Sequence, residues 1–395
     1  MSGAAEKIAK EIEGRGVISF ARFMELALYC PDCGYYEREG DTIGRGGDYY
    51  TSVSVGSLFG ELLGFQFAEW LGANARSEMG GSRSAGGGVD GVEVVEAGTH
   101  RGELALDILR WLRQRRPALF QRLEYRIVEP SERRRQWQQQ TLAEFAAKVR
   151  WAKDLSALVT APSAPGPTEA GPAGRDLPGI QRIIFANELL DALPVHRLGW
   201  DAKSQAWFEW GVIVQEGRFA WTRLSDHAFC LTQRESFPML TPQLSALLPD
   251  GFTVEVCPAA AEWWGSAASV LGRGKLLTLD YGFTAEESLA PERKDGTLRG
   301  YHGHRLRSDV LAFPGAQDIT AHVNFTALEA VGESAGLRTE AFITQAQFLT
   351  RIATRIWGGE GSFGEWTAQR TRQFQTLTHP EHLGRAFRVL VQGRG

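Results

Sequence analysis

The sequence predicts an α/β fold with a Rossmann-like, mainly parallel seven-stranded sheet, an N-terminal helical region and an inserted β-hairpin. Apolar runs typical of buried strands alternate with segments whose apolar residues recur at helical spacing. The clearest change of period runs from a strand over residues 92–96 to a helix that begins at Glu103. Because successive parallel strands are joined by crossover helices, this alternation favours a parallel sheet.

The strands of this sheet are predicted over residues 92–96, 124–129, 149–152, 182–186, 275–280, 337–344 and 387–391. Helices are predicted over residues 4–13, 20–28 and 58–70, with Ser19 capping the second. The turn residues Glu216 and Gly217, between apolar runs, predict the hairpin. We therefore expect a helical cap with a substrate and cofactor loop over 1–75, a Rossmann-like core over 92–285 with a β insertion at about 200–250, and substrate-side loops with closing strands over 286–395.

Composition narrows the classes of partner. The chain has 395 residues, 43% apolar residues and a net charge of −4, so nucleic acid is not the expected main partner. No run is long and apolar enough for a membrane span, and the first residues lack a signal-peptide pattern, so a cytoplasmic protein is expected.

Cys30 and Cys33 form a CxxC pair without the further ligands that zinc needs, and His302, His304 and His322 follow no metal motif. No metal site is expected.

A glycine turn joins the first sheet strand to its helix and predicts a ligand site. Gly98 and Gly102 allow a ligand to approach the backbone, and the helix start offers unpaired N–H groups. His100 stands where a dinucleotide site needs its second glycine, which disfavours a pyrophosphate. The acidic Glu96 suits a cofactor with a positive amino group, such as S-adenosylmethionine. The alternative is a tight strand-to-helix turn without a ligand.

Further residues follow the other strands and could complete a nucleoside site. Glu129, at the end of the second strand, occupies the place of a ribose-binding carboxylate. Asp154 could accept a hydrogen bond from the adenine amino group, with Leu155 beside it, and Asn187 would face the cofactor. Glycines, aromatic residues and small hydroxyls crowd the loop that ends in Thr51 and Ser52, which predicts a binding surface, although an ordinary polar turn would look similar.

Taken together, the motifs resemble those of the MidA-like methyltransferases. Any one motif is weak evidence, but their order along most of the chain is specific. The matching stretches are FARFMELALYCPDCGYY, GGDYYTS, LFGELLG, VVEAGTHRGELALDILR, YRIVEPSERRRQWQQQTL, FANELLDALPVHRL, EVCP, LLTLDYG, GTLRGYHGH, PGAQDITAHVNF and TQAQFL.

The resemblance implies a class I S-adenosylmethionine-dependent methyltransferase fold. It also implies symmetric dimethylation of an arginine in the subunit of respiratory NADH:quinone oxidoreductase that lines the quinone site, and dimerisation in some members. Two positions depart from the family pattern. His100 replaces the middle glycine of the glycine turn, and Val53-Ser54 stand where the family has Pro-Glu.

An arginine acceptor would need a carboxylate to hold its guanidinium. Glu188, directly after the fourth strand, is the first candidate, and Asp191 is the second, although it could equally be a helix cap. Asp48 and Asp318 are further candidates. Two other classes stay open: a methyltransferase acting on another protein or a small molecule, and a non-catalytic assembly factor that binds the cofactor.

Overall fold

The computed structural model describes residues 3–38, 51–77, 91–158, 180–224, 247–303, 305–359 and 363–395. The chain divides into two compact units. The first unit comprises residues 1–50, 190–262 and 281–328. The second comprises residues 51–189, 263–280 and 329–395.

The strands are β1 (Ile18–Ser19), β2 (Gly91–Ala97), β3 (Leu123–Val128), β4 (Val149–Ala152), β5 (Ile180–Asn187), β6 (His196–Asp201), β7 (Ala206–Gln215), β8 (Arg218–Arg223), β9 (Thr253–Val256), β10 (Arg273–Phe283), β11 (Arg299–His302), β12 (Arg305–Arg307), β13 (Asp318–Thr320), β14 (Val323–Asn324), β15 (Arg338–Thr344) and β16 (Phe387–Arg394). The helices are α1 (Gly3–Arg15), α2 (Phe20–Tyr29), α3 (Leu58–Ser77), α4 (Glu103–Arg115), α5 (Pro117–Arg122), α6 (Glu132–Thr141), α7 (Pro258–Val270), α8 (Ala285–Ser288), α9 (Phe325–Ser334), α10 (Gln345–Gly358) and α11 (Ala368–Thr378). No helix among the described residues combines the length and the apolar character that a membrane crossing needs.

A mainly parallel sheet forms the centre of the second unit, with strand order β15-β16-β10-β5-β2-β3-β4. Successive strands are parallel from β10 through β5, β2 and β3 to β4, whereas β15 and β16 are antiparallel to each other. In the first unit, the short β14 pairs in parallel with Gly282 and Phe283, the last two residues of β10. The seven predicted strands and the Rossmann-like fold class are therefore confirmed.

The central strands are apolar because both faces of the sheet are covered. In β2 and β5, Val94, Val95 and Ile184 are fully buried. The exception is a buried ion-pair group in which Glu93 of β2 pairs with Arg182 of β5 and with Arg126 of β3. Buried charges are tolerated only when they are paired in this way.

The first unit contains a five-stranded antiparallel sheet with order β1-β7-β6-β9, in which β8 pairs with β7. Glu216 (φ 52°) and Gly217 (φ 75°) form the two-residue turn between β7 and β8. The predicted hairpin is confirmed, but it belongs to a larger sheet. Strands β1 and β9 are too short for their alternation to be recognised in the sequence.

Helices α1 and α2 supply much of the apolar core of the first unit. Ile8 of α1 and Phe20 and Phe23 of α2 cluster with Val212 of β7 and with Ile319. The amide of Arg22 donates to the Ser19 hydroxyl at 3.2 Å, which confirms the predicted cap of α2. The N-terminal helices are thus part of a packed core.

Candidate functional site

The order of the parallel strands defines a crevice at one edge of the sheet. From β2 the chain proceeds outward through β3 and β4, and then returns to place β5 on the other side of β2. Open α/β sheets bind ligands at such a reversal point, beyond the carboxyl ends of the strands. Here those ends are Ala97 of β2 and Asn187 of β5. The segments that follow them therefore form the candidate site of the second unit.

The turn after β2 has the left-handed backbone that glycine favours. Gly98 has φ 76°, His100 has φ 47° and Gly102, at the start of α4, has φ 96°. A Cβ atom at Gly98 would lie 3.0 Å from the Cβ and Cδ1 atoms of Leu189. Histidine is among the residues that tolerate the left-handed region better than most, so His100 keeps the backbone path of a glycine turn.

Glu96 is buried in front of this turn. It is 2% exposed, and its Oε2 atom accepts a hydrogen bond from the Tyr125 hydroxyl at 2.5 Å. Burial raises the pKa of Glu96 to about 8; the Tyr125 hydrogen bond lowers this pKa and the charge of Glu103 raises it. Burial thus favours the protonated form of this carboxyl, and its pairing with a cofactor ammonium stays a prediction.

Glu129 follows β3 and lies in a dense polar network. Its Oε1 atom accepts from the Arg134 Nε and Nη2 atoms at 2.9 and 2.8 Å and from the Ser131 amide at 2.9 Å. Its Oε2 atom accepts from the Gln138 side-chain amide at 3.1 Å. A carboxylate has about four acceptor sites, so Oε2 keeps capacity for a ribose hydroxyl. The ribose role of Glu129 remains a prediction.

Gln138 is a site residue that sequence reasoning missed. It is fully buried, and its side-chain amide nitrogen also donates to the His100 carbonyl at 3.0 Å. Its Oε1 atom accepts from the Trp151 indole at 2.9 Å. The sequence of α6 could have indicated this role. The helix has no apolar stripe, and Arg134 and Gln138, four residues apart, share its buried face.

Asp154 and Leu155 follow β4. Asp154 is exposed, and its Oδ1 atom accepts from the Ser156 hydroxyl at 2.5 Å and the Ala157 amide at 3.3 Å. These hydrogen bonds lower the pKa of Asp154, and the bond from Ser156 has the largest effect. Leu155 is 5% exposed. The structure brings both residues to the carboxyl end of β4, and their contact with adenine stays a prediction.

The segment after β5 meets Ser52. Glu188 has a left-handed backbone, φ 52°, and its amide donates to the Leu279 carbonyl at 3.0 Å. The Oε1 atom of Glu188 accepts from the Ser52 amide at 3.1 Å and from the Asn187 side chain at 3.2 Å. Ser52 and Thr51 are both buried. Two sequence-predicted groups, Thr51-Ser52 and Asn187-Glu188, thus come together.

Gln345 anchors Ser52 and was also missed. The Ser52 hydroxyl donates to the Gln345 Oε1 atom at 3.1 Å, and the Gln345 amide donates to the Leu377 carbonyl at 3.0 Å. Gln345 is fully buried at the start of α10. Asp280 was likewise not proposed, yet its Oδ2 atom accepts from the Leu189 amide at 3.2 Å. Asp280 and Gln345 lie in the matching stretches LLTLDYG and TQAQFL, but these stretches do not show which residues the two side chains contact, because the partners lie far away in the chain.

The remaining acidic candidates are not in the second unit. Asp191 is buried in a 3₁₀ turn of the first unit, and its carbonyl accepts from the Ala321 amide at 2.8 Å. Asp318, also of the first unit, is fully buried and accepts from the Tyr36 hydroxyl at 2.7 Å. Asp48 and His304 lie outside the described residues. Within the described ranges, no three His, Cys, Asp or Glu side chains are grouped to hold a metal ion.

Two buried polar atoms indicate that the crevice suits a polar ligand. The Asn187 Oδ1 and Thr99 Oγ1 atoms are buried and have no hydrogen-bond partner among the described residues. Such atoms are costly unless a ligand or water satisfies them. Together with the glycine turn and the start of α4, they fit a nucleoside cofactor.

Comparison with known proteins identifies the family of the chain. The profile of a family described as S-adenosyl-L-methionine-dependent methyltransferases matches residues 62–343. Protein arginine methyltransferase NDUFAF7, mitochondrial, of Mus musculus is 31% identical over 394 residues, which cover 95% of this chain and 81% of that protein. The Homo sapiens protein of the same name is 31% identical over 397 residues, covering 95% of this chain and 80% of that protein.

A solved structure agrees with both sequence comparisons. One similar structure is the crystal structure of a Burkholderia thailandensis protein bound to S-adenosyl-homocysteine. Its alignment with this chain has a TM-score of 0.75 and a sequence identity of 28%, and it covers 99% of this chain and 92% of that chain. The predicted cofactor, S-adenosylmethionine, is confirmed. The chain therefore belongs to the MidA-like family of S-adenosylmethionine-dependent methyltransferases.

Proposed function

We propose that this methyltransferase modifies an arginine of a protein substrate and that Glu188 holds the arginine guanidinium. The observation that carries the proposal is the fixed carboxylate of Glu188 at the crevice, oriented by the Ser52 amide and the Asn187 side chain. The relatives named as protein arginine methyltransferases support the class of acceptor. The charge of Glu188 is the feature that matters.

The proposed role follows from the chemistry of the acceptor. S-adenosylmethionine supplies the methyl group that is transferred. An arginine is a poor nucleophile because its pKa exceeds 12 and its nitrogen lone pairs are delocalised. A carboxylate can bind two guanidinium N–H groups at once and draw the positive charge toward itself. Glu188 would thereby orient one guanidinium nitrogen for in-line attack and stabilise the developing charge.

The family resemblance also suggests which protein carries the arginine and how many methyl groups it receives. We propose an arginine in the subunit of respiratory NADH:quinone oxidoreductase that lines the quinone site, and symmetric dimethylation as the final state. Asp191, Asp48 and Asp318 are secondary candidates for the catalytic carboxylate. Glu96, Glu129 and Asp154 are proposed to contact the amino group, ribose and adenine of the cofactor, respectively.

The test measures single-turnover methyl transfer from labelled cofactor to the purified subunit. Glu188→Gln keeps the size of the side chain and removes its charge, so the rate should fall by roughly two to four orders of magnitude. Cofactor affinity, measured by calorimetry, should stay unchanged. Glu381→Gln, at an exposed acid of the same unit, is the control and should retain the wild-type rate.

The product distinguishes the remaining possibilities. Tandem mass spectrometry of the modified peptide should show loss of monomethylamine from the arginine side chain, which is characteristic of symmetric dimethylation. A Glu188→Gln rate within threefold of wild type would remove Glu188 from the mechanism. Cofactor binding without any transfer to the subunit would refute this acceptor and favour another substrate or a non-catalytic role.

A further inference from the structure

A tight turn in the first unit brings the two cysteines of the CxxC pair together. Cys30 follows α2, and the Cys33 amide donates to the Cys30 carbonyl at 3.2 Å. Pro31 occupies the second turn position and Asp32 has φ 66° at the third, which are the features of a type II β-turn. Such a turn holds its first and fourth Cα atoms within the distance range that a disulfide requires.

Gly34 fixes the position of this turn against the end of α2. A Cβ atom at Gly34 would lie 2.5 Å from the Leu28 carbonyl oxygen and 2.6 Å from the Cys30 nitrogen. The Gly34 amide also donates to the Cys30 carbonyl at 2.7 Å. The close backbone approach therefore depends on glycine, and the geometry of the cysteine pair is determined by the fold.

The thiol groups of Cys30 and Cys33 lie close enough to react with each other. The Sγ atoms of Cys30 and Cys33 lie 2.8 Å apart, and both residues are free thiols. Cys30 is 4% exposed, whereas Cys33 is half-buried. The Lys7 ammonium of α1 donates to the Cys30 Sγ atom at 3.2 Å and to the Pro31 carbonyl at 3.3 Å.

The positive charge of Lys7 lies beside the Cys30 sulfur. A thiolate at Cys30 would lie just beyond the carboxyl end of α2, where the helix dipole disfavours negative charge. A hydrogen bond from an ammonium group stabilises a thiolate and offsets this effect. Lys7 therefore links the Cys30 sulfur to α1, and the more exposed Cys33 sulfur lies directly beside it.

We propose that Cys30 and Cys33, assisted by Lys7, form a reversible intramolecular disulfide with a low-molecular-weight disulfide as oxidant. The more exposed Cys33 thiolate attacks one sulfur of the oxidant and releases a thiolate. The Cys30 thiolate then attacks the Cys33 sulfur of the mixed disulfide and releases the second thiolate. The two protein thiols lose two protons and two electrons, and the oxidant is reduced to two thiols.

The experiment exposes the full-length protein to oxidised glutathione and follows free thiols and intact mass. The expected product has lost two hydrogen atoms and two of its four thiols, its cross-link maps to Cys30 and Cys33, and dithiothreitol restores it. Retention of all thiols, a cross-link to Cys230 or Cys257, or stable glutathione adducts on the pair would each overturn the proposal. This experiment uses only the wild-type protein, so its result does not depend on whether a variant folds.

Variants separate the pair from the other thiols. Cys33→Ser should lose the intramolecular product, whereas Cys257→Ser should retain it. Lys7→Met should slow disulfide formation by roughly threefold or more, because the Cys30 thiolate loses its ammonium donor. Lys10→Met, at an exposed lysine of the same helix, is the matched control and should react at the wild-type rate. Equal rates for both lysine variants would refute the contribution of Lys7.

Discussion

The backbone amide of Ser52 donates to the Oε1 atom of Glu188 at 3.1 Å, although 136 residues separate the two in the chain. The same carboxylate oxygen accepts from the Asn187 side chain. Gln345 in turn holds the Ser52 hydroxyl. Ser52 therefore connects the proposed catalytic carboxylate to the start of α10, and this connection can be tested without changing Glu188.

Gln345→Leu should lower the rate of methyl transfer. The change leaves the Ser52 hydroxyl and the Leu377 carbonyl without their partner, which costs about 1–3 kcal/mol of stability and loosens the Ser52–Glu188 contact. We expect single-turnover transfer to slow by about tenfold, with cofactor affinity within about twofold of wild type. Gln375→Leu, at an exposed position on α11, is the control. An unaltered rate with normal stability would show that Gln345 does not position Glu188.

Gly98→Val should abolish cofactor binding. At φ 76° a β-branched residue is strained, and its Cβ atom would lie 3.0 Å from Leu189. Isothermal titration calorimetry with S-adenosyl-homocysteine measures the effect. Gly91→Ala is the matched control in β2, because a Cβ atom there meets only Ile180 at 4.0 Å. Binding by Gly98→Val with wild-type affinity would place the cofactor away from this turn.

Glu129→Gln should weaken cofactor binding by about one to three decades, since a charge-assisted pair of bonds to ribose hydroxyls is worth roughly 2–4 kcal/mol. The variant should also lose stability, because Arg134 is buried and would lose its charged partner. Calorimetry and denaturant unfolding give the two quantities separately. Glu132→Gln, at an exposed acid on α6, is the control. Lost stability with unchanged affinity would make Glu129 purely structural.

Glu96→Gln should change how stability depends on pH. The folded pKa of Glu96 is about 8, above the ordinary value of 4.5 for an accessible glutamate, because burial disfavours the charged form. Stability from this group is therefore fully present below about pH 4.5 and is lost as pH rises through about 8. Over this window the wild type should lose up to about 5 kcal/mol of unfolding free energy more than Glu96→Gln.

Denaturant unfolding of both proteins at several pH values, without cofactor, measures this difference. Parallel curves for wild type and Glu96→Gln would mean that the buried carboxyl titrates normally. A carboxylate that pairs with the cofactor ammonium predicts a further result: S-adenosylmethionine should stabilise the wild type more strongly than Glu96→Gln. Equal stabilisation would remove Glu96 from the ammonium site.

The sequence by itself determined the elements of the parallel sheet and the position of the glycine turn. Buried strands such as β2 and β5 have continuous apolar runs, and α4 has an apolar face, so local pattern was sufficient. The polar residues that end those strands followed from the same pattern, since the carboxyl ends of parallel strands share one edge.

Only the tertiary structure decided which side chains meet at that edge. Ser52 reaches Glu188, and Gln345 reaches Ser52 across 293 residues, through loops and helix starts that have no periodic pattern. Arg134 and Gln138 turn out to engage Glu129, because a polar helix face gives no local sign of its partner. Local sequence encodes whether a residue is buried and in which element. The partner of a buried polar group depends on long-range packing, since its hydrogen bonds are satisfied only when distant segments come together.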